Sequence, residues 1–157
     1  MKTIIPCLWF NTEAEDAANF YTSVFEDAKV TGISRYGDAG PGEAGTVLTV
    51  GFELRGQEFV ALNGGPEFTF SEALSFQVSC ESQDEVDRFW NALSEGGEEG
   101  PCGWLKDKYG LSWQIIPTVL PELLSDPDPE RSQRAMTAML AMHKIDIAEL
   151  RRAAETP

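Results

Sequence analysis

The sequence predicts an α+β protein built from two strand–helix–strands modules in tandem, followed by a helical tail. Three observations carry this reading. Phe20-Tyr21 and Phe89-Trp90 lie on two amphipathic stretches at an offset of 69 residues, which also places Glu15-Asp16 over Asp84-Glu85. Each stretch follows one β-type run and precedes others rich in Val, Ile, Phe and Trp. Past Pro117 such runs give way to Ala, Leu and Met in helical company. The modules cover about residues 1–66 and 73–117 of a single domain, 1–117, and the tail takes 118–157.

In the first module Ile4-Ile-Pro-Cys-Leu-Trp-Phe10 reads as a strand that continues from Met1-Lys2-Thr3. Thr12 suits a helix N-cap with Glu15 at the third position, a capping box that would satisfy two of the helix's orphan amides. Ala17, Phe20, Tyr21, Val24 and Phe25 then recur at helical spacing. Val30 to Tyr36 is a second strand, and a Gly/Pro-rich loop runs from Gly37 to Gly45. Thr46 to Leu54 and Gln57 to Leu62 form a hairpin around Arg55-Gly56, and Asn63-Gly-Gly-Pro66 closes the module.

The second module opens on a strand from Ala73 to Cys80. Ser82 caps the next helix with Glu85 three residues on, Val86, Phe89, Trp90 and Leu93 form its apolar stripe, and Gly96-Gly97 end it. In the tail Asp126-Pro-Asp-Pro129 leads into a helix with Pro129 in its first turn. Arg131 to Met142 continues that helix, and Ile145, Ile147 and Leu150 mark a short last one. Met136, Met139, Leu140 and Met142 read as packing residues.

Between them, Trp104-Leu105 and Trp113-Gln-Ile-Ile116 read as two strands reversed by Asp107-Lys-Tyr-Gly110. If Asp107 pairs with Gly110, Trp104 lies opposite Trp113, and the other face holds Gly103, Leu105, Ser112 and Gln114. A bulge at Gly110 shifts this register by one. In the first register both indoles face the helix of Phe89 and Trp90 as core, with Cys102 a buried thiol beside them. Lys106-Asp107-Lys108 then read as solvated charges at the turn.

Charge narrows the partners. The net charge is −14, and residues 1–100 carry 18 acids against 5 bases, so nucleic acid and anionic membranes find no basic footprint. No run approaches the length of a membrane span, and no basic-then-apolar leader opens the chain. Cys7, Cys80 and Cys102 are odd in number without CxxC spacing, which points to reduced thiols in a cytoplasm.

Phe10-Asn11, Phe20-Tyr21, Asn63-Gly-Gly-Pro-Glu-Phe68, Ser82-Gln-Asp-Glu-Val-Asp87 and Cys102 to Gly110 form a specific set. Ser112-Trp-Gln114, Asp126-Pro-Asp128 and Met142 to Asp146 extend it. Together they resemble the PhnB-like family, described as 3-demethylubiquinone-9 3-methyltransferase, of the vicinal-oxygen-chelate (glyoxalase-like) fold shared by glyoxalase I and the fosfomycin- and bleomycin-resistance proteins. The resemblance implies paired βαβββ modules, each a cupped four-stranded sheet, and a homodimer. The metal enzymes of that fold draw one ligand from the first and one from the last strand of each module. Here those positions resemble Cys7, Asn63 or a neighbour, Ala73 and Gln114, with Ser75 or Gln77 in place of Ala73 under a shifted register. Amides and a lone thiol are poor ligands for a divalent ion, so no metal is expected. The lone histidine, His143, falls in the tail, where it reads as structural or solvated.

What remains is a cup with neutral polar candidates: Cys7, Asn63, Ser75, Gln77, Ser112 and Gln114. Such groups orient a small neutral polar or aromatic ligand, or else satisfy backbone and water in a partly filled core. Cys7 has no histidine or cation beside it to activate a thiolate. The first strand runs into Asn-Thr-Glu-Ala-Glu with no glycine-rich loop, so S-adenosylmethionine has no motif to hold it. Two functions stay open: metal-independent binding of a small molecule, or catalysis, either the methyl transfer of the family's description or a lyase or isomerase reaction on a degenerate metal site.

Overall fold

Pro6 decides where the first sheet begins. In the computed structural model, which describes residues 4–157, its missing N–H delays the first strand, β1, to Cys7–Phe10, while its carbonyl still accepts from the Val60 N–H at 3.0 Å. The expected start at Ile4 therefore moves inward, and Met1 to Thr3 lie outside the described residues. α1 (Ala14–Val24), β2 (Ala28–Arg35), β3 (Val47–Leu54) and β4 (Gln57–Asn63) follow. The strands form a sheet in the order β1-β4-β3-β2, with β1 parallel to β4 and the other pairs antiparallel. Arg55 and Gly56 both take positive φ, 48° and 84°, the geometry of a type I′ hairpin turn. These elements belong to one compact unit that ends at Phe70.

Alternation sorts the faces of this sheet. Leu8, Phe10, Val50, Phe52, Phe59 and Ala61 are buried, as are Ala14, Ala17, Ala18 and Tyr21 of α1. The capping box expected at Thr12 does not form. The N-cap position is Glu13, and the Ala14 amide donates instead to Asn63 Oδ1 at 2.8 Å. Glycines fit the loops around two aromatic rings. A Cβ at Gly64 would lie 2.4 Å from the Trp9 indole, and one at Gly42 would lie 2.5 Å from the Tyr36 ring.

The second unit, Ser71–Pro157, repeats the plan. Its elements are β5 (Ser75–Cys80), α2 (Gln83–Ser94), β6 (Glu98–Glu99), β7 (Trp104–Lys106) and β8 (Ser112–Pro117), in the sheet order β5-β8-β7-β6. Here the cap expected at Ser82 is present, its hydroxyl accepting from the Glu85 N–H at 3.2 Å. Val86, Phe89, Trp90 and Leu93 are buried, as are Val78, Leu105, Trp113 and Ile115 of the sheet. The two modules thus share one strand order, and the α+β, glyoxalase-like class read from the sequence holds.

The β7–β8 register corrects the first sequence reading. Leu105, not Trp104, lies opposite Trp113, and Trp104 lies opposite Gln114. The cause is Gly110, which at φ 89° forms the left-handed bulge of a three-residue loop. Asp107 ties this loop together and is 2% exposed rather than solvated. Its Oδ1 accepts from the Tyr109 and Leu111 amides at 2.8 and 3.1 Å, and its Oδ2 from Trp113 Nε1 at 2.9 Å.

The tail forms α3 (Val119–Leu124), α4 (Pro129–Leu140) and α5 (Ile147–Glu155) within the second unit. Asp128 caps α4 and Pro129 begins it. Leu120, Ile145 and Leu150 are buried together, with Met139 and Met142 packed against them, whereas Leu140 is exposed. Backbone bonds join the tail to the start of β7: the Cys102 amide donates to the Met142 carbonyl at 2.8 Å and the Gly103 amide to the His143 carbonyl at 2.7 Å. Cys102 is only half-buried, not the buried thiol expected. Among the described residues no helix is long and apolar enough to cross a membrane.

Candidate functional site

The face of the second sheet away from Trp113 and Leu105 gathers polar side chains. The registers set out two rows across neighbouring strands: Ser75, Ser112 and Lys106, then Gln77, Gln114 and Trp104. In a sheet such neighbours are about 4.8 Å apart. Gln114 is held at both ends, donating from Nε2 to Ser75 Oγ at 2.9 Å and accepting at Oε1 from Gln77 Nε2 at 3.2 Å. These three predicted residues therefore form one network. Ala73 lies outside β5, in the turn before it.

Ser112 differs from its neighbours. The residue is 1% exposed, and its hydroxyl has no hydrogen-bond partner among the described residues. It lines a cavity of about 440 Å³ together with Glu72, Glu98, Pro101, Trp104 and Lys106. Such a volume is in the range that encloses small organic ligands. Lys106 and Glu72 form an ion pair beside it. The hydrogen bond from Lys106 holds the Glu72 carboxyl below the usual range, and the same contact raises the lysine pKa, so the ammonium is not a base at neutral pH.

The other predicted residues lie in the first unit and do other work. Asn63 is spent on structure, accepting from α1 and donating from Nδ2 to the Val47 carbonyl at 3.1 Å. Cys7 is exposed at the edge strand β1, and partial burial of its thiol pushes the pKa up, away from a reactive thiolate. Sequence reasoning missed Trp104 and Lys106, assigning one to the core and the other to solvent. The signal that finds them is the Tyr109-Gly110 step, which shifts the register and turns both side chains onto the Ser112 face.

Two larger clefts offer less. One of about 780 Å³ is lined by Gln83, Asp87 and Lys144, whose polar atoms are paired with each other and with the Ile145 carbonyl and Ile147 amide. The other, about 710 Å³ in the first unit, is bounded by Asn63, Tyr36 and Arg35, and these bond to backbone around it. Neither contains a buried hydroxyl left without a partner among the described residues.

The fold implies a metal position, and the residues present do not fit one. Gln114, Gln77 and Ser75 are neutral donors engaged with one another, and no three His, Cys, Asp or Glu side chains converge among the described residues. Among the described residues, the polarising group on this face is the Lys106 ammonium.

Comparison with known proteins places the chain. Solved structures that cover about three quarters of the chain share its fold. A PhnB protein of Bacillus cereus is 39% identical, with 74% of this chain and 100% of that chain covered, at a TM-score of 0.67. A Pseudomonas aeruginosa protein is 20% identical over 74% of this chain and 98% of its own, at 0.62. The fosfomycin resistance protein FosX of Mesorhizobium loti is 14% identical over 80% and 98%, at 0.57, a likeness of fold. No curated protein matches the sequence. Residues 2–116 match the profile of the family described as 3-demethylubiquinone-9 3-methyltransferase, so that Asp126-Pro-Asp128 and Met142 to Asp146 fall beyond it. Profile and identity agree: the chain belongs to this PhnB-like family, described as 3-demethylubiquinone-9 3-methyltransferase.

Proposed function

We propose that the protein binds a small planar molecule bearing a hydrogen-bonding group on the Ser112 face of the second sheet, without a metal. One observation carries this reading: a hydroxyl buried without a partner among the described residues, on a residue that lines a cavity walled by an indole. An unsatisfied buried hydroxyl is costly, and a ligand group that pairs with it recovers that cost. The Trp104 ring gives a flat surface for an aromatic system. Three free thiols support a reducing, cytoplasmic setting, and a homodimer belongs to the same reading.

The family's description names a methyl transfer. Backbone amides at a helix start would suit the carboxylate of S-adenosylmethionine, and two at the start of α1 are already engaged. The Ala14 amide is taken by Asn63, the Thr12 amide by the Glu13 carboxylate, and Glu15 and Asp16 repel an anion. The residues there do not fit the donor's carboxylate.

Calorimetric titration with 2-naphthamide, a neutral two-ring probe, tests the binding reading. The expected result is saturable binding that Ser112→Val and Trp104→Ala each weaken by about tenfold, the equivalent of one lost hydrogen bond or ring contact. S-adenosylmethionine gives no heat. Absence of binding, or binding that neither substitution alters, sinks the proposal.

A further inference from the structure

The face is not purely neutral, as the sequence alone suggested, because the register shift turns Lys106 onto it. Three donors then stand side by side. Lys106 offers its ammonium, Ser112 an unpaired hydroxyl, and Ser75 a hydroxyl whose oxygen already accepts from Gln114, leaving its proton free for another acceptor. A row of donors is complementary to an oxyanion. One carboxylate is already there: Glu72, in the irregular segment before β5, reaches Lys106 with its side chain 58% exposed.

We propose that Glu72 is a tethered stand-in, and that the ligand is a planar ring carrying a carboxylate-like anion which replaces Glu72 on Lys106 and takes the Ser112 hydroxyl as second donor. This rests on the reading that the Ser112 cavity is the binding site. Exchange of one carboxylate for another leaves the charge around Lys106 unchanged. That matters here, because Glu98 lies across from Lys106 on β6 and the chain as a whole is acidic. The displaced Glu72 passes to solvent at small cost, being largely exposed already. The anion fixes orientation, since only one end of a flat ligand can reach the ammonium while the ring lies on Trp104.

The test compares 2-naphthoate with 2-naphthamide, which have the same shape and differ in charge. Affinities are measured by calorimetry for the wild type, Lys106→Met, Glu72→Gln and Ser112→Val. The readout is the ratio of naphthoate to naphthamide affinity; naphthamide binding also reports that Lys106→Met and Glu72→Gln are folded, and the urea unfolding midpoint does so for Ser112→Val. The ratio is expected to fall by at least about threefold in Lys106→Met and to rise by about threefold in Glu72→Gln, the range of a partly exposed ion pair. In the wild type it declines as salt is raised. A ratio that neither substitution moves overturns the anion subsite, while naphthamide binding lost in Ser112→Val keeps the underlying site. If neither probe binds the wild type, both fall together.

Discussion

Replacing Ser112 with alanine is expected to stabilise the protein, against the usual direction of a core substitution. The hydroxyl is buried at 1% residue exposure and lacks a partner among the described residues. Leaving such a group unpaired costs about 1–3 kcal/mol, and deleting it removes that penalty. Against this stands the small void left by one oxygen, roughly 0.3 kcal/mol at about 24 cal/mol per Å³. The net gain is about 0.7–2.7 kcal/mol, which at roughly 2–4 °C per kcal/mol for a chain of this size raises Tm by several degrees. Urea unfolding followed by tryptophan fluorescence measures the free energy, and calorimetry the melting point. Ser112→Val adds a methyl group where the cavity lies and should gain at least as much. If alanine destabilises by half a kilocalorie or more, the hydroxyl is already satisfied in the folded protein and the case for the site loses its foundation. Stability gained together with naphthamide binding lost is the pattern of a group kept for function.

Asp107→Ala should cost about 3 kcal/mol in the same unfolding assay, because the Leu111 amide and Trp113 indole are left buried without their acceptor. Asp107→Asn should cost less, as Oδ1 keeps its two amide bonds; equal losses would show that the carboxylate's geometry is irrelevant. Acid should loosen the tail's attachment to α2. The Asp87 pKa is lowered by the hydrogen bond from Gln83 and then by that from Lys144. A depressed folded-state pKa contributes stability above the unfolded value of about 4, which is lost as pH falls through the folded one. Amide exchange at Lys144 to Ile147 should therefore accelerate below about pH 4 in the wild type and be fast already at neutral pH in Asp87→Asn. Equal protection in both proteins would remove Asp87 from this role.

Where structure is set by near neighbours, the sequence was readable. Ser82 and Glu85 lie within one helical turn, and the cap they promise is there. Thr12 and Glu15 make the same promise, yet Asn63, 49 residues away from Ala14, supplies the acceptor. A cap borrowed across the fold leaves no local trace. The register of β7 and β8 depended on whether Gly110 adopts positive φ, and that one angle moved Trp104 and Lys106 from core and solvent to the candidate site. β6 escaped because Glu98-Glu99 has no β-type character and exists only through its pairing with Lys106 and Leu105. α3, six residues long with Pro121 inside it, had no pattern to show.

The tail has one more consequence, for the order in which the protein is made. Gly100 and Pro101 wall the cavity, and the segment they begin is pinned by Met142 and His143 through the Cys102 and Gly103 amides, with His143 Nδ1 also meeting the Gly100 carbonyl at 2.9 Å. These partners are synthesised some forty residues after the wall itself. Chains emerge from the ribosome N-terminus first, at roughly 5–20 residues per second. The first module can thus complete its sheet during translation, whereas the candidate site's face of the second waits for the tail. A nascent chain halted at the last residue of β8 carries every side chain of the candidate site and lacks the backbone partners that fix its wall.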